Sequence, residues 1–154
     1  MRIPMTTRKP DKLSTERLRL CPLGPEDGAR FFPVLKDADL YTCIPEEPPV
    51  SWQALRQKLM RYCAGPPPSV LEEWFNWGVF CAKRPIGTLQ ATIHVPMGSA
   101  EIAYLLGTAF RKCGLASEAV FAMTEWLFIR CAVKLRRSGR RYQARGAPPA
   151  DPAK

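Results

Sequence analysis

Six consecutive residues, Arg111-Lys112-Cys113-Gly114-Leu115-Ala116, carry the sharpest chemical signal in this chain. They stand between a segment patterned as a strand and a segment patterned as a helix. The first turn of a helix has amides without internal partners, and its dipole favours anions. Gly114 lets a ligand come close to the backbone, and Ala116 leaves the first turn unobstructed. Arg111 and Lys112 add positive charge. A diphosphate is the natural ligand of such a place. The Gly-Lys-Ser/Thr ending of a Walker loop is missing, and so is the GxGxxG of a dinucleotide fold. The cysteines offer less. Cys21, Cys43, Cys63, Cys81, Cys113 and Cys131 include no CxxC pair, and the single histidine, His94, cannot complete a zinc cluster, so no metal site is expected.

The elements around the loop can be read from periodicity. Arg17 to Leu23 alternates strictly, with Leu18 and Leu20 on one face, as a strand does. Gly24-Pro25-Glu26-Asp27 then opens a helix, with Pro25 at its first position and two acids complementing the dipole. Ala29, Phe32, Val34 and Leu35 supply an approximate apolar face. Ser51 is placed to cap a second helix, whose apolar side holds Ala54, Leu55, Leu59 and Tyr62 and which Gly65-Pro66-Pro67-Pro68 ends.

Three strands follow. Phe75, Trp77, Val79 and Cys81 alternate with more polar or smaller residues, and Lys83-Arg84-Pro85 turns the chain. Ile86 to Val95 puts Leu89, Ala91, Ile93 and Val95 on one face and Thr88, Gln90, Thr92 and His94 on the other. Pro96 to Ser99 turns again, and Ala100 to Leu106 is the third strand, completing an antiparallel meander. Ala116 to Cys131 is a long helix with Val120, Met123, Leu127 and Cys131 in step. The fold class expected is α+β (mixed α/β), with a mostly antiparallel sheet flanked by helices.

Composition narrows the class. The 154 residues are 46% hydrophobic and 24% charged, enough for one domain with a real core. No run of about 18 apolar residues is present to span a membrane. Met1 to Lys12 lacks the apolar segment of a secretory signal, so a reduced, cytoplasmic setting is expected. The net charge of +9 invites a nucleic-acid reading. That charge is concentrated, however. Arg130 to Lys154 holds eight basic residues against Asp151 alone, and the remainder of the chain is only +2. Lys134 to Lys154 shows no periodicity and almost no aliphatic residue, which predicts a basic disordered tail. Such a tail would hold RNA non-specifically, with strong salt dependence. No aromatic interleaving supports specific recognition of nucleic acid.

In order and spacing, residues Leu13 to Ala132 resemble the GNAT (Gcn5-related) N-acetyltransferases, of the type that acetylates ribosomal-protein N-termini. Thr15-Glu16-Arg17-Leu18-Arg19-Leu20-Cys21-Pro22-Leu23 is similar to that family's opening strand. Pro85-Ile86-Gly87-Thr88 is similar to the start of its third strand. Ala100 to Leu106, followed by Arg111-Lys112-Cys113-Gly114-Leu115-Ala116-Ser117-Glu118-Ala119, resembles its fourth strand and the acetyl-CoA signature Arg/Gln-x-x-Gly-x-Gly/Ala. The resemblance implies a domain over 14–133 between a flexible lead-in, 1–13, and the tail, 134–154.

It also implies a chemistry. Backbone amides from Lys112 through Cys113, Gly114, Leu115 and Ala116 to Ser117 would hold the pyrophosphate of acetyl-CoA, with Arg111 and Lys112 as further anion contacts. Tyr104, Leu105 and Leu106 would lie along the pantetheine arm, and a backbone N–H there would stabilise the developing oxyanion. An aliphatic amine has a pKa of about 10, so a base must take its proton before it attacks the thioester. Glu101, at the start of that strand, is the first candidate base, and His94 the second. Each also has a plainer reading, as a solvated carboxylate and as a surface or hydrogen-bonded histidine. Trp74, Trp77 and Tyr104 are candidates for an acceptor pocket or, more simply, for core packing.

The resemblance stops where the family continues with a fifth strand, a helix and two closing strands. Nothing from Lys134 onward matches, and Tyr142 lacks the surroundings of the family's proton donor. The expectation is a truncated or frameshifted member. It would be an active N-acetyltransferase or a catalytically inactive remnant, with an open sheet edge through which a homodimer could form.

Overall fold

The computed structural model describes residues 9–42 and 44–131. The expected tail, Cys43 and the first eight residues of the expected lead-in lie outside the described residues. Five strands form one antiparallel sheet in sequence order: β1 (Leu13–Ser14), β2 (Leu18–Pro22), β3 (Glu72–Cys81), β4 (Arg84–His94) and β5 (Ser99–Leu106). Helices α1 (Gly28–Leu35) and α2 (Trp52–Ala64) cover one face, and α3 (Leu115–Cys131) covers the other. The α+β class and the β3–β4–β5 meander are therefore as the sequence predicts.

The pleat sorts the side chains into two cores. Phe75, Trp77 and Val79 of β3 and Leu89, Ala91 and Ile93 of β4 point toward α3, where they meet Leu115, Ala119, Met123 and Leu127. These four recur at every fourth residue, so the α3 stripe begins one turn earlier than Val120 and runs along Ala119 instead. The opposite face carries Phe80, which meets Phe31, Leu35, Leu55 and Leu59 of α1 and α2.

The first helix differs from the sequence reading in its frame. Pro25–Asp27 forms a single 3-10 turn, with the Gly24 N–H donating to Asp27 Oδ2 (2.8 Å), and the α-helix starts only at Gly28. Phe31 and Leu35 are then buried, while Ala29 is exposed and Phe32 is half-buried. Gly78 explains this frame. A Cβ at Gly78 would lie 2.5 Å from Phe31 Cζ, so only glycine lets that ring settle on the sheet. Phe31 then packs edge-on against Phe80 at 5.3 Å.

The second helix is as expected. Ser51 Oγ accepts from the Ala54 N–H (3.0 Å), and Gly65 follows the last turn at φ 80°. The first hairpin is tighter than expected. Ala82 and Lys83 both take positive φ (49° and 66°), the geometry of a two-residue connection, so Arg84 and Pro85 already pair with Cys81 and Phe80. Pro85 is tolerated there because the ladder is irregular at that point, with a register shift between Val79 and Phe80. β3 begins at Glu72, three residues before its alternation becomes visible.

Residues 11 to 13 do not behave as a flexible lead-in. Leu13 pairs with Leu20. The buried ring of Trp77 donates its indole N–H to the Asp11 carbonyl (2.9 Å), and Trp126 of α3 donates to Asp11 Oδ2 (2.9 Å). The two indoles stack edge-to-face at 5.3 Å. Two indole donors at a mostly apolar seam need acceptors, and Asp11 supplies both.

Candidate functional site

β5 leads into the loop that the sequence marks. After Leu106 the chain makes a short 3-10 turn (Thr108–Phe110), passes Lys112 at φ 62° and Gly114 at φ 75°, and enters α3 at Leu115. The first helical hydrogen bond runs from the Glu118 N–H to Gly114 O (3.1 Å). The amides of Leu115, Ala116 and Ser117 precede it and have no partner within the helix. A Cβ on Gly114 would meet nothing but Arg17 Nη2 at 3.4 Å, so the backbone here is bare on that side. Cys113 is exposed, and its thiol donates to Arg111 O (3.4 Å). The loop thus has the open glycine and the unpaired amides that an anionic ligand needs.

The ladder shows which groups of β5 are free to meet a ligand. The Gly107 N–H donates to Ile86 O (2.8 Å), so that pair is a hydrogen-bonded one. Alternation along an antiparallel ladder then commits the backbone of Leu105 and Ala103 to β4. The backbone groups of Tyr104 and Leu106 point to the outer edge, which pairs with no other described strand. Of the three β5 residues expected along a pantetheine arm, Tyr104 and Leu106 can offer hydrogen bonds. Leu105 cannot, because its carbonyl is held against β4. The approach is close: a Cβ at Gly87 would lie 2.1 Å from Leu105 O.

On the face of α1 and α2, a small open cleft reaches β5 at Ala103–Leu105. Its walls include Tyr41, Lys58, Tyr62, Asn76, Gln90 and Tyr104. Lys58 pairs with Glu46 (3.2 Å), and the buried Tyr41 hydroxyl donates to Leu35 O (2.8 Å). Burial pushes the Tyr41 phenol up to about 12, so it stays a donor. Of the aromatic candidates, Tyr104 borders this cleft, but its side chain lies on the α3 face with its ladder partner Leu89 and packs against that core. Trp74 packs edge-on against Tyr62 (6.5 Å), and Trp77 is fully buried on the other face, in the α3 core.

His94 and Glu101 are brought together. The β4–β5 register sets Thr92 opposite Glu101, so Glu101 Oε2 comes to 3.5 Å from His94 Nε2. A third group joins them: Glu72 Oε1 lies 3.4 Å from His94 Nδ1, because Glu72 pairs with His94 across β3 and β4. The sequence reading missed Glu72, since nothing marked β3 as starting so early. Glu101 is largely exposed, and His94 and Glu72 are about three-quarters covered. The trio continues the polar row of Thr88, Gln90 and Thr92 toward the far end of the sheet, about 17 Å from Leu106 at strand spacing. Among the described residues there is no side-chain cluster suited to a metal ion, and no helix long and apolar enough to cross a membrane.

A second missed group lies beside the loop. Glu118, in the first turn of α3, accepts from the Thr15 hydroxyl, from the Arg17 backbone N–H (3.0 Å) and from Arg17 Nε (2.9 Å). Arg17 Nη1 also donates to the Cys113 carbonyl (3.0 Å). The Thr15 hydroxyl and the Arg17 contacts hold the Glu118 carboxyl below the usual glutamate range.

The acetyltransferase (GNAT) domain matches residues 17–141, and the chain belongs to that family. Solved structures agree on the fold. A GCN5-related N-acetyltransferase from Brucella melitensis superposes with a TM-score of 0.69 at 18% identity, over 84% of this chain and 59% of its own. An acetyltransferase of the GNAT family from Bacillus anthracis gives 0.65 at 18% identity, over 80% and 69%. RimL, a ribosomal-protein alpha-N-acetyltransferase in complex with coenzyme A, gives 0.63 at 15% identity, over 76% and 67%. The chain spans 65% of the length of a further acetyltransferase structure that it matches, at 21% identity. No curated protein matches the sequence.

Proposed function

We propose that the chain is an N-acetyltransferase that moves the acetyl group of acetyl-CoA to a primary amine, a peptide N-terminus or a small amine, by direct attack. The observation that carries this reading is the Gly114 loop. Its bare, left-handed glycine and the unpaired amides of Leu115, Ala116 and Ser117 follow directly from β5, whose Tyr104 and Leu106 backbone groups face the same edge. Arg111 and Lys112 add charge for the phosphates. Acetyl-CoA supplies an activated thioester. Tyr104 N–H is the donor for the carbonyl oxygen as charge develops there, and Leu106 offers pairing to the amides of the arm. The acceptor enters by the cleft of Tyr41, Tyr62 and Gln90, which opens beside the same stretch of β5. Glu101 and His94 accept the amine's proton through water, with Glu72 holding the imidazole. The resemblance to ribosomal-protein acetyltransferases favours a peptide N-terminus, and the cysteine pattern favours the cytoplasm.

Calorimetric titration of acetyl-CoA tests the reading. Saturable one-to-one binding is expected, and Gly114→Trp is expected to abolish it by filling the bare side of the loop. A folded protein that binds no acetyl-CoA, or a Gly114→Trp variant that binds as well as the wild type, would refute the proposal. Release of free coenzyme A with a panel of peptides and small amines then identifies the acceptor.

A further inference from the structure

We infer that Thr15, Arg17 and Glu118 form a positioning brace for the donor loop, and that Arg17 cancels a carboxylate which would otherwise repel the ligand's phosphates. This rests on the proposed acetyl-CoA site at Gly114. A carboxylate in the first turn of a helix is favourable in the free protein, where it faces the positive end of the dipole. Beside a bound diphosphate it becomes a like charge in the wrong place. Glu118 is that carboxylate, since it sits in the first turn of α3 and its backbone N–H closes on Gly114. Its Oε1 and Oε2 are both taken, by Arg17 Nε, the Arg17 backbone N–H and the Thr15 hydroxyl.

The same guanidinium shapes the loop. Arg17 Nη1 holds the Cys113 carbonyl, between the two left-handed residues Lys112 and Gly114. Lys112 is a non-glycine residue at positive φ, a conformation that persists only where surrounding contacts hold it. The support comes from a residue about a hundred positions earlier in the chain. Thr15 is itself anchored: its N–H donates to Leu18 O (2.9 Å), and its hydroxyl accepts from the Leu18 N–H (2.9 Å). The brace therefore ties the donor loop to the first turn before β2. Arg17 and Glu118 are positioning residues here, not catalytic ones.

The test is acetyl-CoA affinity and steady-state kinetics in five proteins: wild type, Arg17→Ala, Arg17→Lys, Glu118→Gln and Arg17→Ala/Glu118→Gln. Arg17→Ala leaves the carboxylate uncompensated and is expected to weaken acetyl-CoA about tenfold, with KM for acetyl-CoA rising more than kcat falls. Adding Glu118→Gln to that variant removes the repelling charge and is expected to recover most of the lost affinity, which a merely structural role would not do. Arg17→Lys keeps charge but cannot bridge Glu118 and Cys113 together, and is expected to fall between. It carries the test if Arg17→Ala fails to fold. Equal affinity in the wild type and in Arg17→Ala or Arg17→Lys overturns the brace while leaving the donor site standing. A loss in Arg17→Ala that Glu118→Gln does not relieve overturns the charge argument. Absence of acetyl-CoA binding by the wild type overturns the donor-site reading and this inference with it.

Discussion

Gly87→Ala is a sharp test of how β4 and β5 are joined. The new Cβ would stand 2.1 Å from the Leu105 carbonyl oxygen and 2.9 Å from Leu106 Cα, both backbone atoms that no rotamer change can move. Ordinary contact begins near 3.4 Å, so the strands must part by more than 1 Å. That movement stretches the neighbouring Thr88–Leu105 ladder bonds beyond the range in which hydrogen bonds remain strong. Overpacking of this kind costs about 1–3 kcal/mol, and a weakened ladder bond adds about 1 kcal/mol. The expected loss is therefore about 2–4 kcal/mol, measured as a fall in the urea midpoint with the slope unchanged. Gly98→Ala is the control. Gly98, unlike Gly87, has positive φ (61°), but nothing lies within 4 Å of its would-be Cβ. That variant should lose only the left-handed strain, about 1 kcal/mol. A Gly87→Ala protein no less stable than Gly98→Ala would refute the reasoning. Because Leu106 must shift with the strand, Gly87→Ala should also weaken acetyl-CoA binding.

Two further outcomes follow from particular contacts. Ser51→Ala removes the acceptor for the Ala54 N–H at the start of α2 and should cost about 1 kcal/mol in urea unfolding, while Ser51→Asp should cost little. The folded-state pKa of Glu118 lies below its unfolded value, because Thr15 and Arg17 favour the carboxylate. The unfolded chain thus binds this proton more readily, and the brace contributes fully only above about pH 4.5. Its contribution should fade as pH drops through the lowered folded value. Glu118→Gln should flatten that part of the stability profile below about pH 4.5, and an unchanged profile would show that the brace does not couple to folding.

Much of this fold was legible in the chain because local chemistry decided it. The alternation of Leu18 and Leu20, of Phe75, Trp77 and Val79, and of Leu89, Ala91 and Ile93 set three strands and their inward faces. Ser51 and Gly65 bounded α2, and the Arg111–Ala116 run marked a helix start open to an anion. Other features were decided across the sheet. The frame of α1 depends on Phe31 meeting Gly78, and a ring and a glycine far apart in sequence carry no local signal that they touch. Ala82 and Lys83 carry no turn signature, yet the right-handed twist of β3 and β4 drives both to positive φ.

The candidate site divides in the same way. The loop glycine, the basic residues and the proposed proton acceptors Glu101 and His94 were visible as residue types. Glu72 was not, because only the β3–β4 register sets it beside His94. The alternation of the β5 ladder, with Leu105 turned inward and Tyr104 outward, needed one long-range hydrogen bond to set its phase. The pairing of Arg17 with Glu118 had no local signal at all, since it joins a turn before the second strand to the first turn of the last described helix. Sequence by itself determined the elements and the chemistry they carry, because propensity, periodicity and capping act over a few residues. Tertiary structure alone decided which of those groups meet, because register, strand spacing and the neutralisation of a charge are settled only between segments.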